Sequence, residues 1–316
     1  MCHNLLTDQK DHDVNEYDAD LSMMIGIIMC AINAGASRRE MTTEVCFGQQ
    51  HILQKGMKIF GNRGREASLK ELKQLHDRVC FTPIDISTLL EEEKRKCVDA
   101  LMFLTEKRSG DVKGQMVYNG KPTRDWLSRD EVASPTVTTE GLFLTCVIDA
   151  KEERDVMSCD IPNAFIQAKM PVVKKGDERV IMKITGVLVD ILVQLAPTVY
   201  SKFVVYENGK KVLYVEVIRA LYGMLIAAIL WYRKFRKSLE EIGFVFNNYD
   251  PCVANRMVKN SQHTIRFHVD DLMSSHKDAR VNTQFLKWLN DKYGTMGKVV
   301  ATRGLRHDYL GMTIDF

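Results

Sequence analysis

Two carboxylates stand side by side near the end of an apolar run, Ile265-Arg-Phe-His-Val-Asp-Asp-Leu-Met273, and a third, Asp160, closes the run Asp155-Val-Met-Ser-Cys-Asp160. Burying neighbouring carboxylates beside a packed core is costly unless cations neutralise them. A hard divalent cation such as Mg²⁺ takes oxygen ligands, and one or two carboxylates with substrate phosphates are enough to hold it. Alternation along a strand puts Val156, Ser158 and Asp160 on one face and Met157, Cys159 and Ile161 on the other. If the two strand ends are neighbours, Asp160, Asp270 and Asp271 converge and suit a pair of metal ions about 3.5–4 Å apart, the arrangement that serves phosphoryl transfer. The alternative is that Asp270-Asp271 is a solvated turn between strands and Asp160 a strand-end turn residue. Spacing alone does not decide between them.

Such carboxylates need strands to carry them, and the surrounding pattern supplies candidates. From Gln49 to about Val79 the apolar residues fall at helical steps, Leu53, Met57 and Phe60, then Leu69, Leu72 and Leu75 after the break Gly61-Asn-Arg-Gly64. A cap at Ser87 or Thr88 predicts a helix through Met102. Lys107 to Gly120 reads as two short strands joined by a Ser109-Gly-Asp111 turn. Thr138–Ala150 is helical in pattern, and Asp155–Ile161 is a strand leading into a turn at Pro162-Asn163. A helix over Leu188–Leu195 precedes a strand pair, Lys202–Tyr206 and Lys211–Val217, around the hairpin signal Asn208-Gly209. A long helix from Ala227 to Ile242 comes next, then strands over Cys252–Val258, Thr264–Asp271 and Leu272–Ser275. A helix over Arg280–Tyr293 and a strand near Tyr309–Ile314 close the chain. This irregular alternation, without repeats, is an α+β pattern rather than a doubly wound sheet.

The 316 residues, 45% hydrophobic and 27% charged, are enough for a substantial core and too apolar for disorder. Net charge is +3, but residues 1–20 carry −5, so the remainder is +8. Its basic residues cluster, as in Arg233, Lys234, Arg236 and Lys237, a surface that suits either plain solvation or phosphates. Cys2, Cys30, Cys46, Cys80, Cys97, Cys146, Cys159 and Cys252 include no C-x-x-C pair, so reduced, mostly buried thiols are expected. The apolar stretch Leu21–Ala36 follows an acidic segment and is short of the roughly 20 residues of a bilayer span, which argues against a signal peptide or membrane helix. No histidine pair has metal-ligand spacing: on one strand His263 and His268 would point to opposite faces. No Gly-rich loop fits a nucleotide-binding pattern.

Asp160-Ile-Pro-Asn-Ala-Phe165 is similar to the D-x-x-x-A-F element of reverse transcriptases encoded by copia-type LTR retrotransposons. Ala220-Leu-Tyr-Gly223 with Trp231-Tyr232 resembles their A-L-Y-G…W-Y block, and Tyr249-Asp-Pro-Cys252 their H-D-P-[CS] segment. His268-Val-Asp-Asp271 resembles the Y-V-D-D box and Leu310-Gly311 the L-G of the primer grip. Glu71-Leu-Lys-Gln-Leu-His76, Val112-Lys113 and Ala133-Ser-Pro135 fall in the family's order, so the resemblance runs from about residue 49 onward. It implies a right-hand polymerase of fingers and palm with the thumb absent or truncated. Residues 1–45 would be an N-terminal extension and 46–316 the reverse transcriptase domain, with fingers at about 46–140 and 172–222 and palm at about 141–171 and 223–316.

The implied activity is RNA-directed DNA synthesis from dNTPs on a primed RNA or DNA template, with two Mg²⁺ ions (or Mn²⁺) and no membrane partner. The implied location is intracellular, in cytoplasmic virus-like particles or the nucleus. Asp160, Asp270 and Asp271 would be the catalytic set, joined by Ile161 as metal site. Phe165 would be the steric gate that excludes a 2′-hydroxyl, and Lys113 would meet the triphosphate. Gly223, which lets backbone approach the template or nucleotide, would line the substrate site with Tyr222 and His268, and Leu310 and Gly311 the primer grip. Three positions depart from the family: His268 replaces Tyr, Leu225-Ile-Ala-Ala228 replaces Lys-Gln-Ala-Pro, and Gln115 stands where a fingers arginine is expected. With the chain stopping at Phe316, they leave a second reading: a relic that binds nucleic acid or protein without synthesis. Another two-metal enzyme, such as a nuclease, is disfavoured by Phe165 and the Ala220-Leu-Tyr-Gly223 block.

Overall fold

The structure, a computed structural model, describes residues 49–125, 127–172 and 179–316. The acidic segment, the extension 1–45 and the apolar stretch Leu21–Ala36 lie outside the described residues. In chain order the main elements begin with β1 (Gln50–Ile52), α1 (Leu53–Phe60), α2 (Asn62–Asp77), β2 (Phe81–Pro83) and α3 (Glu91–Lys96). Next come β3 (Val98–Glu106), β4 (Val112–Tyr118), α4 (Thr139–Lys151), β5 (Asp155–Asp160) and α5 (Ala164–Gln167). β6 (Ile181–Thr185), α6 (Val187–Leu195), β7 (Val205–Glu207), β8 (Lys210–Val217), α7 (Ala227–Glu240) and β9 (Val245–Phe246) follow. The chain closes with β10 (Val253–Val258), β11 (Ser261–His268), β12 (Asp271–His276), α8 (Ala279–Tyr293), β13 (Val300–Arg303), β14 (Arg306–Tyr309) and β15 (Met312–Asp315). The fold is mixed α+β, and no helix among the described residues is long and apolar enough to cross a membrane.

One sheet has seven strands in the order β1-β3-β6-β8-β2, with β4 paired to β3 and β7 to β8. The second is antiparallel, in the order β13-β5-β12-β11-β10-β9, while β14 and β15 pair only with each other. Each large sheet has its own core. Met102, Met116, Leu192 and Leu213 belong to the first, and Met157, Phe235, Phe267 and Leu289 to the second. Phe165 and Ile226 pack against both.

The second sheet is covered on both sides because its central strand β11 is buried from His263 to Phe267. On one face Arg266 meets Asp149 of α4 at 2.6 Å, with both side chains fully buried, and Ser275 donates to the same carboxylate at 2.6 Å. On the other face Phe267 packs on Tyr232 and Phe235 of α7, and His263 on Phe285 of α8. Asp250 of the Tyr249-Asp-Pro-Cys252 block anchors the start of α4 by accepting from the Thr138 amide and hydroxyl, each at 2.9 Å.

Several elements differ from the sequence expectation. The helix expected to run to Met102 is only α3, which starts after Leu90, whose amide donates to Glu93 at 3.0 Å; Ser87 and Thr88 belong to a separate 3₁₀ turn capped by Asp85. From Val98 the chain is a strand, with Val98, Ala100, Met102 and Leu104 alternately buried, a period of two that tertiary packing imposes. Ser201–Phe203 is a turn of 3₁₀ helix, so the strand expected from Lys202 begins at Val205. The strand expected over Tyr309–Ile314 is the hairpin β14–β15. Cys80, Cys97, Cys146, Cys159 and Cys252 are free thiols, all but Cys97 buried.

His263 is fully buried and couples α8 to the sheet. Its Nδ1 accepts from Arg256 Nε at 3.2 Å, so Nε2 carries the proton toward Ser274 Oγ at 2.8 Å, and Ser274 donates to Asn282 at 2.7 Å. Burial, then the charges of Arg256, His276 and Arg154, push its pKa down to about 3. A histidine depressed in the fold binds its proton only on unfolding, so stability falls as pH drops from about 6.5 toward 3, by about 1.4 kcal/mol per unit. Urea midpoints between pH 7 and 4 should therefore fall more steeply for the wild type than for His263→Asn; equal slopes would refute this account.

Candidate catalytic carboxylate site

The β11–β12 hairpin turns at Val269-Asp270, with His268 paired to Asp271. The strand expected to reach Asp271 therefore ends at His268: Asp270 belongs to the turn and Asp271 opens β12. Val269 has φ 59, a conformation that a β-branched residue strongly disfavours. Its carbonyl accepts from Trp231 Nε1 of α7 at 2.7 Å, which holds the turn from below.

β12 lies antiparallel to β5 with Asp271 directly opposite Asp160. Residues so paired share a face and have Cα atoms about 4.5–5.5 Å apart. The Ile161 amide donates to the Asp270 carbonyl at 3.0 Å, extending the ladder into the turn. Ile161 is fully buried, so its carbonyl is the one oxygen it can offer a cation. After it, Pro162-Asn163 turns the chain, Asn163 taking φ 55, which asparagine tolerates.

All three carboxyls are held above their ordinary range. Partial burial is the first cause in each case, and repulsion adds to it: Asp270 on Asp160, Asp271 on Asp270, and Asp160 on Asp271. Lys113 and the His268 ring oppose the effect without cancelling it. Among the described residues no three His, Cys, Asp or Glu side chains form a ready-made metal cage. Two opposed carboxylates with a third on the adjoining turn, all short of positive charge, nonetheless fit Mg²⁺, which draws remaining ligands from substrate phosphates and water.

Lys113 is exposed on β4, and its charge reaches Asp160 and Asp270. A cleft of ≈ 560 Å³ beside it is lined by Arg63, Lys70, Lys107 and Asn163 and also by the acids Glu66, Glu71 and Asp111, with Arg63 paired to Glu106 at 2.9 Å. Glu71 of α2 accepts from the Met116 amide of β4 at 3.1 Å and so fixes the strand that carries Lys113. Sequence reasoning placed Glu71 in a matching segment but assigned no role to it or to these three cations; the seven-residue spacing of Arg63 and Lys70 along one face of α2 was the available signal.

Phe165 is half-buried, its ring edge-on to Tyr222 at 5.0 Å. Burial, then the charges of Asp270, Glu71 and Asp160, push the Tyr222 hydroxyl up to about 12. Gly223 was expected to admit template or nucleotide; its close approach is to the protein itself. A Cβ there would lie 2.2 Å from the Tyr118 carbonyl, and its φ is 85. A Cβ on Gly120 would lie 2.1 Å from the Gly223 carbonyl, and the Tyr118 amide donates to the Tyr222 carbonyl at 2.8 Å.

Leu310 and Gly311 form the two-residue turn of β14–β15, with φ 51 and 76, a type I′ pattern. His268 keeps a buried Nδ1 without a hydrogen-bond partner among the described residues. Gln115 is half-buried opposite Phe103, and Ile226 fills the seam between the cores. Of the basic run on α7, Arg233 and Lys237 are exposed, Arg236 pairs with Glu240 at 2.9 Å, and Lys234 donates to the Gln167 carbonyl at 2.6 Å.

No protein-family model matches the chain. Over 178 residues it is 23% identical to the retrovirus-related Pol polyprotein from transposon TNT 1-94 of Nicotiana tabacum, a match covering 54% of this chain and 12% of the polyprotein. Among solved structures, telomerase from Candida albicans in complex with a telomeric RNA fragment aligns with a TM-score of 0.36 and 10% identity, covering 74% of this chain and 47% of that one. The BmCPV RNA-dependent RNA polymerase at its elongation state aligns with a TM-score of 0.30 and 10% identity, covering 90% and 31%. The chain is thus similar in part to a retrotransposon Pol polyprotein and only weakly like nucleic-acid polymerases in structure.

Proposed function

We propose that the chain is a template-directed nucleotidyltransferase, a reverse transcriptase of the copia type. It would add dNTPs to a primer on an RNA or DNA template. The observation that carries this reading is the register that sets Asp160 opposite Asp271 with Asp270 in the adjoining turn. In this reading the six-stranded sheet and its helices, residues 141–171 and 223–316, are the palm. The seven-stranded sheet, within 46–140 and 172–222, belongs to the fingers.

Asp160, Asp270 and Asp271, with the Ile161 carbonyl, would hold Mg²⁺. When bound, the metal supplies charge neutralisation at the triphosphate and acidifies the primer 3′-hydroxyl. The protein's own groups do the positioning. Lys113, with Arg63, Lys70 and Lys107 along the neighbouring cleft, offers the triphosphate fixed positive charge. Phe165, braced by Tyr222, would be the ring against which a sugar 2′-hydroxyl clashes. His268 beside the carboxylates and Gly223 behind Tyr222 complete the substrate side, and the Leu310-Gly311 turn would meet the primer. A second reading, nucleic-acid binding without synthesis, is favoured by Ile226, which is packed into the apolar seam and offers a nucleotide no polar contact.

The decisive experiment is dNTP incorporation by the purified chain on a primed RNA template with Mg²⁺. Asp160→Asn, Asp270→Asn and Asp271→Asn should each reduce it on the order of 10³-fold or more. A folded wild type that binds primer–template and incorporates nothing would select the second reading. A stability measurement checks the electrostatics separately. Because the folded Asp270 carboxyl is raised, its stability contribution is full below the unfolded pKa and is lost as pH climbs through the folded one. Asp270→Asn should therefore melt higher than the wild type at pH 7 without metal, and Mg²⁺ should narrow the gap. A lower melting temperature for the variant would contradict the account.

A further inference from the structure

The β14–β15 hairpin has no backbone ladder to either large sheet. Two strands alone are marginal in water, so its placement depends on side chains. Tyr309 belongs to the core of the six-stranded sheet and Leu310, Met312, Ile314 and Phe316 pack against it, an apolar contact that holds the hairpin down without fixing its direction. Two hydrogen bonds supply the directional link, and both run to the strands that carry the carboxylates. His307, 1% exposed, meets Ser158 Oγ of β5 through Nδ1 at 2.9 Å, while its Nε2 lies 2.9 Å from the Gly304 carbonyl. That carbonyl fixes the proton on Nε2, so Nδ1 accepts from the serine hydroxyl. Tyr309, two residues on and also buried, donates from its hydroxyl to the Asp271 carbonyl at 3.3 Å.

Ser158 lies two residues before Asp160 on the same face of β5, and Asp271 is the residue opposite Asp160. The two bonds therefore tie the hairpin to the strands of the carboxylate pair, from Tyr309 one residue and His307 three residues before the Leu310-Gly311 turn. Phe316 closes the free end, its amide donating to the Leu305 carbonyl at 2.8 Å and its ring lying edge-on to His307 at 5.9 Å.

We propose that His307, acting with Ser158 and Tyr309, is a positioning residue that fixes the Leu310-Gly311 turn relative to Asp160 and Asp271, and with it the primer 3′-end. This rests on the polymerase reading. A reacting hydroxyl displaced by about 1 Å can cost on the order of 10²-fold in rate, whereas dNTP binding does not depend on this hairpin.

The test uses the full chain with saturating primer–template. Ser158→Ala and His307→Phe should lower kcat roughly tenfold or more and leave the KM for dNTP within about twofold. His307→Asn, whose amide oxygen can accept the serine proton in place of Nδ1, should recover most of the loss. A raised KM with unchanged kcat, or His307→Asn no better than His307→Phe at matched melting temperature, would overturn the proposal. If the wild type incorporates no dNTP, the polymerase reading fails on its own, and hydrogen exchange then tests the tether. Ser158→Ala should speed exchange across residues 306–315 at unchanged global stability, and unaltered exchange there would show that the tether does not hold the hairpin.

Discussion

The register of β5 against β12 is the constraint on which the rest depends. A slip of one residue would exchange the two faces of β5, moving Met157 and Cys159 to the side that carries the carboxylates and Asp160 to their apolar side. Register is therefore set mainly by apolar burial, far from the charges it aligns. Asn282 of α8 reinforces it by donating to the Asp155 carbonyl at 2.8 Å and carboxylate at 2.7 Å, at the opposite end of the strand from Asp160. The carboxylates contribute no cohesion of their own. They repel one another, and the packing beneath them holds that repulsion in place.

The candidate site lies where the two cores meet. Carboxylates come from the sheet of one core, while Lys113 and Tyr222 come from elements of the other. Phe165 and Ile226 are the residues that touch both. The Asp160-to-Phe165 segment thus carries a charged group on one side of the seam and an aromatic ring within it. The reach of Lys113 toward Asp160 across the seam is electrostatic, whereas Gln167, between Ile166 and Ala168 of one core, donates directly to the Tyr293 carbonyl of the other at 3.0 Å.

Much of this was legible in the sequence, and the failures share physical causes. The Asp pair beside an apolar run, the alternation over 155–161 and the α+β pattern follow from periodicity and the cost of burying charge. The β11–β12 turn was placed too late in the chain and the β14–β15 turn was missed despite Gly311, because Val269 and Leu310, the first residues of the two turns, occupy left-handed conformations that their side chains disfavour. β3 was read as helix because its alternation is visible only once one face is buried. Ser158 with His307, and Glu71 with the Met116 amide, join positions 149 and 45 residues apart, and no local pattern announces such pairs. Gly223 was read from its missing side chain alone, and the space beside it that the Tyr118 carbonyl fills is a contact with a distant segment that its own sequence does not announce.

That filled space has a mechanical consequence. Gly120 and Gly223 press backbone to backbone, so the end of β4 and the loop bearing Tyr222 are in direct main-chain contact, with the Val117 side chain filling the space beside Gly223. With the Tyr118–Tyr222 hydrogen bond, the two segments behave as one stiff piece. Any swing of the β3–β4 arm that carries Lys113 must pivot elsewhere or take Tyr222 with it. Because Tyr222 braces Phe165, such a swing would be felt at the aromatic ring as well as at the lysine, so the positions of these two side chains are coupled.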